Sequence, residues 1–243
     1  MQLDAHSLLQ LWEDGAALDL SMRKLLLLQS AWPLPAPLEW ARQTCGRVDW
    51  HLLYLRCQWF GAGFDAVTAC PACEEQLESS FSAEQICPPG WQLAQLAQGA
   101  QVMPHDVMLQ GQWQGQEWRM RAPQAADLPA ATGLDGVALL QACLPPELAH
   151  LAQQADWRAA AQEALLEADP LAEISIGLHC PACGHAWQRE LEIGAWLWQD
   201  LTRWAHALLQ QVHQLALAYG WSEHSILALS ARRRALYLQM LGC

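Results

Sequence analysis

Apolar residues in the first sixty positions recur at helical spacing. Leu8, Leu9, Leu11, Trp12 and Leu18 fall on one stripe, broken near Gly15. A second helix is predicted over Leu25 to Leu28, with Ser21 placed to cap it. Prolines at 33, 35 and 37 then make a stiff break, because each removes a donor and fixes φ. A third helix is predicted over 48–59, with Leu52, Leu53, Leu55 and Trp59 as its apolar set and Gly61 and Gly63 behind it. All these stripes read as core. The period then changes to alternation, and 64–69, 77–81, 174–178 and 187–193 read as strands. Residues 107–113 and 117–121 alternate around Gln114, Gly115 and Gln116 as a β-hairpin.

Between the strands the chain turns helical again. A Pro-Gly break at 88–90 is followed, after the hairpin, by a helical region from Asp127 that Pro129 and Gly133 interrupt and 137–144 resumes. Pro145 and Pro146 restart the chain into an alanine-rich stretch of one or two helices, with Asp156 as a cap, and Asp169-Pro170 stops it. The longest helical pattern covers 194–219, where Trp196, Leu197, Leu201, Trp204, Leu208, Val212, Leu215 and Tyr219 mark one broad face. Gly220 ends it. Ser222 is placed to cap a short helix to Leu229, and Ser230 a last one to Leu241.

Two identical tetrapeptides give this alternation its chemistry. Cys70-Pro71-Ala72-Cys73 and Cys180-Pro181-Ala182-Cys183 each sit between two predicted strands. Strand, CPAC, strand is the outline of a zinc knuckle, a tight turn that aims two thiolates at one point. Zinc takes four ligands in a tetrahedron, so two knuckles complete one structural four-cysteine site with one Zn2+. Gly184 allows the positive-φ turn that brings backbone N–H groups to the sulfurs, whereas Glu74 in the same place weakens the first half. His179, His185 and Cys87 are nearby substitute ligands, and four ordinary buried cysteines are the bland alternative. CxxC is also a dithiol redox motif, but that motif sits at a helix N-terminus, and duplication serves a tetrahedral site better. Cys45, Cys57, Cys143 and Cys243 have no pairing pattern and read as small apolar residues or free thiols.

The predicted fold class is therefore α+β: a split four-cysteine zinc ribbon with a β-hairpin, flanked by N- and C-terminal helices. Residues 1–62 form the N-terminal helical region, 63–193 the split ribbon with its inserted hairpin and helices, and 194–243 the C-terminal helical region, all in one compact unit.

Composition narrows the function classes. The net charge is −12, with Lys24 the only lysine, so a phosphate backbone is repelled and nucleic acid is an unlikely partner. There is no basic-then-apolar leader and no apolar run of about 18 residues, so the expectation is a cytoplasmic protein with no membrane partner. Nine cysteines without a leader favour a reducing compartment and metal ligation over disulfides. His206 and His213, seven apart on the long helix, read as a solvated edge. No nucleophile elbow, phosphate loop, dinucleotide glycine pattern or paired carboxylates stand out, so the protein is read as no enzyme, with no catalytic residue.

Arg232, Arg233 and Arg234 are the one concentration of positive charge. If Ser230 caps the last helix, they lie in its first turn, where the macrodipole disfavours cations. They read as a solvated face or as a docking patch for an acidic partner, beside the Trp221 and Glu223 corner. A short helix, a turn and a basic helix also suggest helix-turn-helix DNA binding.

The stretch 209–223 (LQQVHQLALAYGWSE), continued by Ile226 to Ser230, Arg232, Arg233, Tyr237 and Leu238, resembles the C-terminal signature of the baseplate hub assembly chaperone family of T-even-like phages. Relatives of that family occur in bacterial contractile injection systems. The double CPxC frame and the Glu167-Ala168-Asp169-Pro170 lead-in share the resemblance, and the leucine-rich N-terminus agrees more loosely. The resemblance implies a part in building a contractile tail, with baseplate or hub proteins as partners, and no catalytic residue. It implies Cys70, Cys73, Cys180 and Cys183 as metal ligands, and Tyr219, Gly220, Trp221, Glu223, Arg232 and Arg233 as structural or partner-contacting positions. A zinc-ribbon nucleic-acid-binding regulator using the basic helix is the alternative, and a dithiol oxidoreductase a third.

Overall fold

The N-terminal helices start where a carboxylate closes their first turn. The computed structural model describes residues 4–32, 38–87, 107–128 and 136–242. The prolines at 33, 35 and 37, the break at 88–90, Pro129, Gly133 and Cys243 lie outside the described residues. Helix α1 (Ala5–Gly15) is capped by Asp4 and α2 (Leu20–Ala31) by Asp19, whose carboxylate accepts from Met22 N at 2.9 Å. Ser21, the expected cap, lies inside the first turn instead, because Asp19 already reaches the third amide. A single turn α3 (Leu38–Ala41) leads to α4 (Cys45–Phe60).

Two hairpins bracket the middle of the chain. Strands β1 (Gly63–Ala69) and β2 (Gln76–Ser82) pair antiparallel, Phe64 opposite Phe81 and Thr68 opposite Leu77, and a turn α5 (Ala83–Ile86) follows. Strands β3 (Met108–Trp113) and β4 (Gln116–Arg121) form the central hairpin on the turn Gln114-Gly115. After a 3-10 turn (Ala125–Asp127) come α6 (Gly136–Cys143), a 3-10 helix (Pro146–Gln153) and α7 (Ala155–Ala168). Gln154, not Asp156, precedes α7; Asp156 lies in its first turn, where a negative charge meets the positive end of the helix. Strands β5 (Ser175–His179) and β6 (Ala186–Glu190) repeat the first hairpin. The strand expected to run to Ile193 stops at Glu190, because the Glu192 carboxylate accepts from Ala195 N and opens α8 (Ile193–Tyr219). Gly220 ends α8, Ser222 caps α9 (Glu223–Leu227) and Ser230 caps α10 (Ala231–Met240). The fold class is α+β, as expected.

The largest core draws on residues from Leu8 to Leu201: the apolar faces of α1, α2, α4 and the first half of α8 meet around Leu27, Leu28, Leu52, Leu53 and Leu197. Phe64 and Phe81 stack at 5.0 Å and both meet Trp196, so the base of the first hairpin is seated on the start of α8. A second core lies under β3 and β4, where Trp118 meets Trp157 of α7 edge-on at 5.5 Å. The far end of α8, whose 27 residues span about 40 Å, carries a small core of its own with α9 and α10 around Val212, Leu215 and Ile226.

Buried charges tie these elements together. Arg56 on α4 pairs with Asp200 on α8 at 2.9 Å, donates to Gly61 O at 2.7 Å and lies 3.7 Å over the Phe64 ring. Lys24 on α2 pairs with Asp49 on α4 at 2.8 Å and with Glu192 at the head of α8. Among the described residues no helix is long and apolar enough to cross a membrane.

Candidate metal centre

Each CPAC turn is built by its own backbone. In the first, Glu74 N donates to Cys70 O and Cys70 N to Glu75 O, both at 2.9 Å; in the second, Gly184 N donates to Cys180 O at 2.9 Å and Cys180 N to His185 O at 2.8 Å. The residue after each second cysteine is left-handed, Glu74 at φ 63° and Gly184 at φ 76°. The expected weakness of the first knuckle is therefore absent from its geometry: glutamate adopts the turn that glycine adopts, at a local steric cost.

The two turns face each other. Cys70 Sγ lies 3.7 Å from Cys183 Sγ, and Cys73 Sγ lies 3.7 Å from Cys180 Sγ. All four sulfurs lie within 4.8 Å of one another. Four thiolates at the Zn–S distance of about 2.3 Å, set tetrahedrally, stand about 3.8 Å apart, and the two pairs at 3.7 Å match that separation. Cys70 and Cys180 are buried, whereas Cys73 and Cys183 lie at the surface. Thr68 on β1 accepts a hydrogen bond from Arg189 on β6, which fastens the hairpins to each other below the thiols.

The electrostatics favour thiolate at one position. Burial opposes ionisation of Cys70, but the N–H groups of Ala72 and Cys73 aim at its sulfur and bring the thiol down to about 7. Cys73 receives the N–H of Glu75, yet sharing protons with Cys183 and its other neighbours pushes it up to about 12. Four sulfurs this close cannot all ionise without a cation among them, and a divalent ion supplies that charge. Such a set satisfies a four-coordinate ion with no position left for a reactant, the pattern of a structural centre. Neither CPAC stands at a helix N-terminus, the setting that activates a dithiol.

The substitute ligands stay out of the cluster. His185 stacks on Trp187 at 5.7 Å, His179 ends β5 outside the sulfur group, and Cys87 packs on the helical core. Cys45 is partly buried beside Pro123, and burial pushes its thiol up to about 12, as it pushes Cys57 and Cys143 to about 11. These three behave as packing residues. His206 and His213 are exposed, as expected for a solvated edge, although His206 also meets Trp12 edge-on at 5.4 Å.

The C-terminal candidates divide. Arg232 and Arg233 are exposed in the first turn of α10, and Glu223 is exposed in the first turn of α9. Arg234 does not belong with them: it is 5% exposed and its guanidinium donates to Leu229 O at 2.5 Å, closing the α9–α10 turn. Trp221, read as either a partner contact or a staple of the turn, is half-buried between Tyr219 at 4.7 Å and Tyr237 at 4.9 Å, the placement of a staple.

Sequence reading missed the charges that hold the frame. Asp169, read as a helix stop and as part of the lead-in to the second knuckle, accepts from Gly46 N at 2.8 Å and closes the N-terminus of α4. No local pattern pointed to this contact, and for Lys24 the only signal was that it is the sole lysine of the chain. Compared with family models, curated proteins and solved structures, the chain matches none of them.

Proposed function

We propose that the protein is a non-enzymatic assembly factor or structural part of a phage-like contractile tail or injection-system baseplate, stabilised by one Zn2+ on Cys70, Cys73, Cys180 and Cys183. The observation that carries the zinc is the cluster of four sulfurs within 4.8 Å of one another, two pairs of them at 3.7 Å. Thiolates suit borderline-soft zinc, and zinc fixes a tetrahedron without redox chemistry of its own. Support for assembly comes from the resemblance carried by the knuckle frame and by residues 209–238, which span the end of α8, α9 and α10. In this reading the metal is a fastener, and the C-terminal lobe meets the partner.

Protein purified without added zinc should carry about one equivalent, since structural zinc binds with about 10–16 kcal/mol of apparent free energy. A metal-free protein that melts cooperatively and ignores chelator overturns the zinc. Affinity purification from cells making the particle should recover baseplate or hub proteins. Recovery of nucleic acid alone, lost on raising salt, would replace the assembly reading with the nucleic-acid regulator.

A further inference from the structure

We propose that the outer face of α10 is a docking surface for an acidic amphipathic helix of a partner protein. Successive residues of a helix turn by about 100°, so Arg232, Leu236, Met240 and Arg233 follow one another within about 100° of the circumference. Arg234 and Leu238 hold the opposite side against the lobe's core. Leu236 is 46% exposed and Met240 73% exposed, an apolar strip with a guanidinium on either flank. Among the described residues neither Arg232 nor Arg233 has a carboxylate partner.

Charge selects the occupant. Residues 205–243 hold three arginines and one glutamate in a chain of net charge −12. An acidic partner is repelled by the rest of the molecule and attracted here, which gives both a site and an orientation. A strip with anchors at i and i+4 on a helix of about 15 Å matches the apolar face of a second helix. Both arginines also sit in the first turn of α10, behind the Ser230 cap, where the helix's positive end repels them. A partner's carboxylates relieve that repulsion. Among the described residues, Arg234 is the one of the three whose guanidinium makes a contact within the fold.

This surface names the chemistry of the partner in the assembly reading, but the two can fail separately. The full metal-loaded chain is titrated into a fluorescent helical peptide with glutamate on its polar face and leucine on its apolar face. A counterpart with lysine for glutamate is the control. The glutamate peptide should bind, the lysine peptide should not, and Arg232→Glu with Arg233→Glu should weaken binding about tenfold or more. Leu236→Ser with Met240→Ser should weaken it as well. The charge-reversed variant should melt no lower than wild type, because acidic residues suit a first turn; a large drop in melting temperature assigns the arginines to the fold and overturns the proposal. Equal binding of both peptides, or of neither, also overturns it. So does binding of phosphatidylserine vesicles, duplex DNA or a second copy of the chain in place of the peptide, with loss in the same variant. If baseplate proteins co-purify equally well with the charge-reversed variant, the surface is wrong and the assembly reading survives. If the peptide binds but no baseplate protein co-purifies, the reverse holds.

Discussion

Glu74 and Gly184 do the same work with different side chains. Both adopt a left-handed backbone that turns the chain out of its knuckle. For glutamate that conformation costs about 1–2 kcal/mol, and for glycine almost nothing. Substitution should therefore be asymmetric. Glu74→Gly leaves stability level or raises it by up to about 1 kcal/mol, because released strain is partly offset by the freer unfolded chain. Gly184→Ala lowers it by about 1 kcal/mol. Melting curves of the metal-loaded variants check this, and equal losses would show that the side chains, not the backbone angle, decide. Arg234 teaches a related lesson: three adjacent arginines differ because only one points into the turn that α9 and α10 enclose.

Among the elements, the decisive junction is where α2, α4 and the head of α8 meet at Lys24, Asp49 and Glu192. Burial pushes Asp49 up to about 6, against the pull of Lys24. Its unfolded value is 3.8, so between about 4 and 6 the folded protein binds the extra proton and stability falls as pH rises through that window. For Lys24, burial is outweighed by the two carboxylates, and its pKa is raised. Its contribution is full below the unfolded value of 10.5 and lost as pH rises through the higher folded one. Lys24→Met leaves two carboxylates without their cation, a loss of about 3–5 kcal/mol where both are ionised. The deficit should be largest near pH 8 and shrink toward pH 5, as Asp49 takes up its proton. Denaturant titrations across that range test the clamp; a deficit independent of pH would mean that Lys24 contributes only through its aliphatic stem.

Across the whole molecule, the four-cysteine cluster joins segments 113 residues apart, and an ion held there would fix how the first and last hairpins meet. Sulfurs that share one ion form a unit, and losses within a unit do not add. Cys73→Ser and Cys183→Ser should each abolish tight metal binding, and the double variant should be little less stable than either. Metal content with thermal melting reads this directly; two independent, additive losses would mean two separate half-sites. The C-terminal lobe should be nearly indifferent to these changes. Its core of Val212, Leu215 and Ile226 lies at the far end of α8 and, among the described residues, shares no contact cluster with the hairpins.

Much of this was legible in the sequence because it is local. Alternation gave the strands, three-and-four spacing gave α4 and α8, Ser222 and Ser230 gave the caps, and the repeated CPAC gave the four-cysteine cluster. Each depends on residues within a turn or two of one another. Asp19 displaced Ser21 as a cap through a difference of two residues, near the limit of what pattern can resolve. Contacts between distant residues required the tertiary structure. Asp169 reaches Gly46 across 123 residues, and Arg56 reaches Asp200 across 144. No periodicity encodes such a pairing, since a buried charge chooses its partner by where packing leaves room and by the cost of staying unpaired. At Gly46 a Cβ would stand 2.4 Å from the Asp169 carboxylate, so the absence of a side chain there is meaningful only once the two segments are side by side. The sequence alone determined which residues form helices, strands and thiol turns, whereas only the tertiary structure decided which charges hold them together and which of the three arginines face solvent.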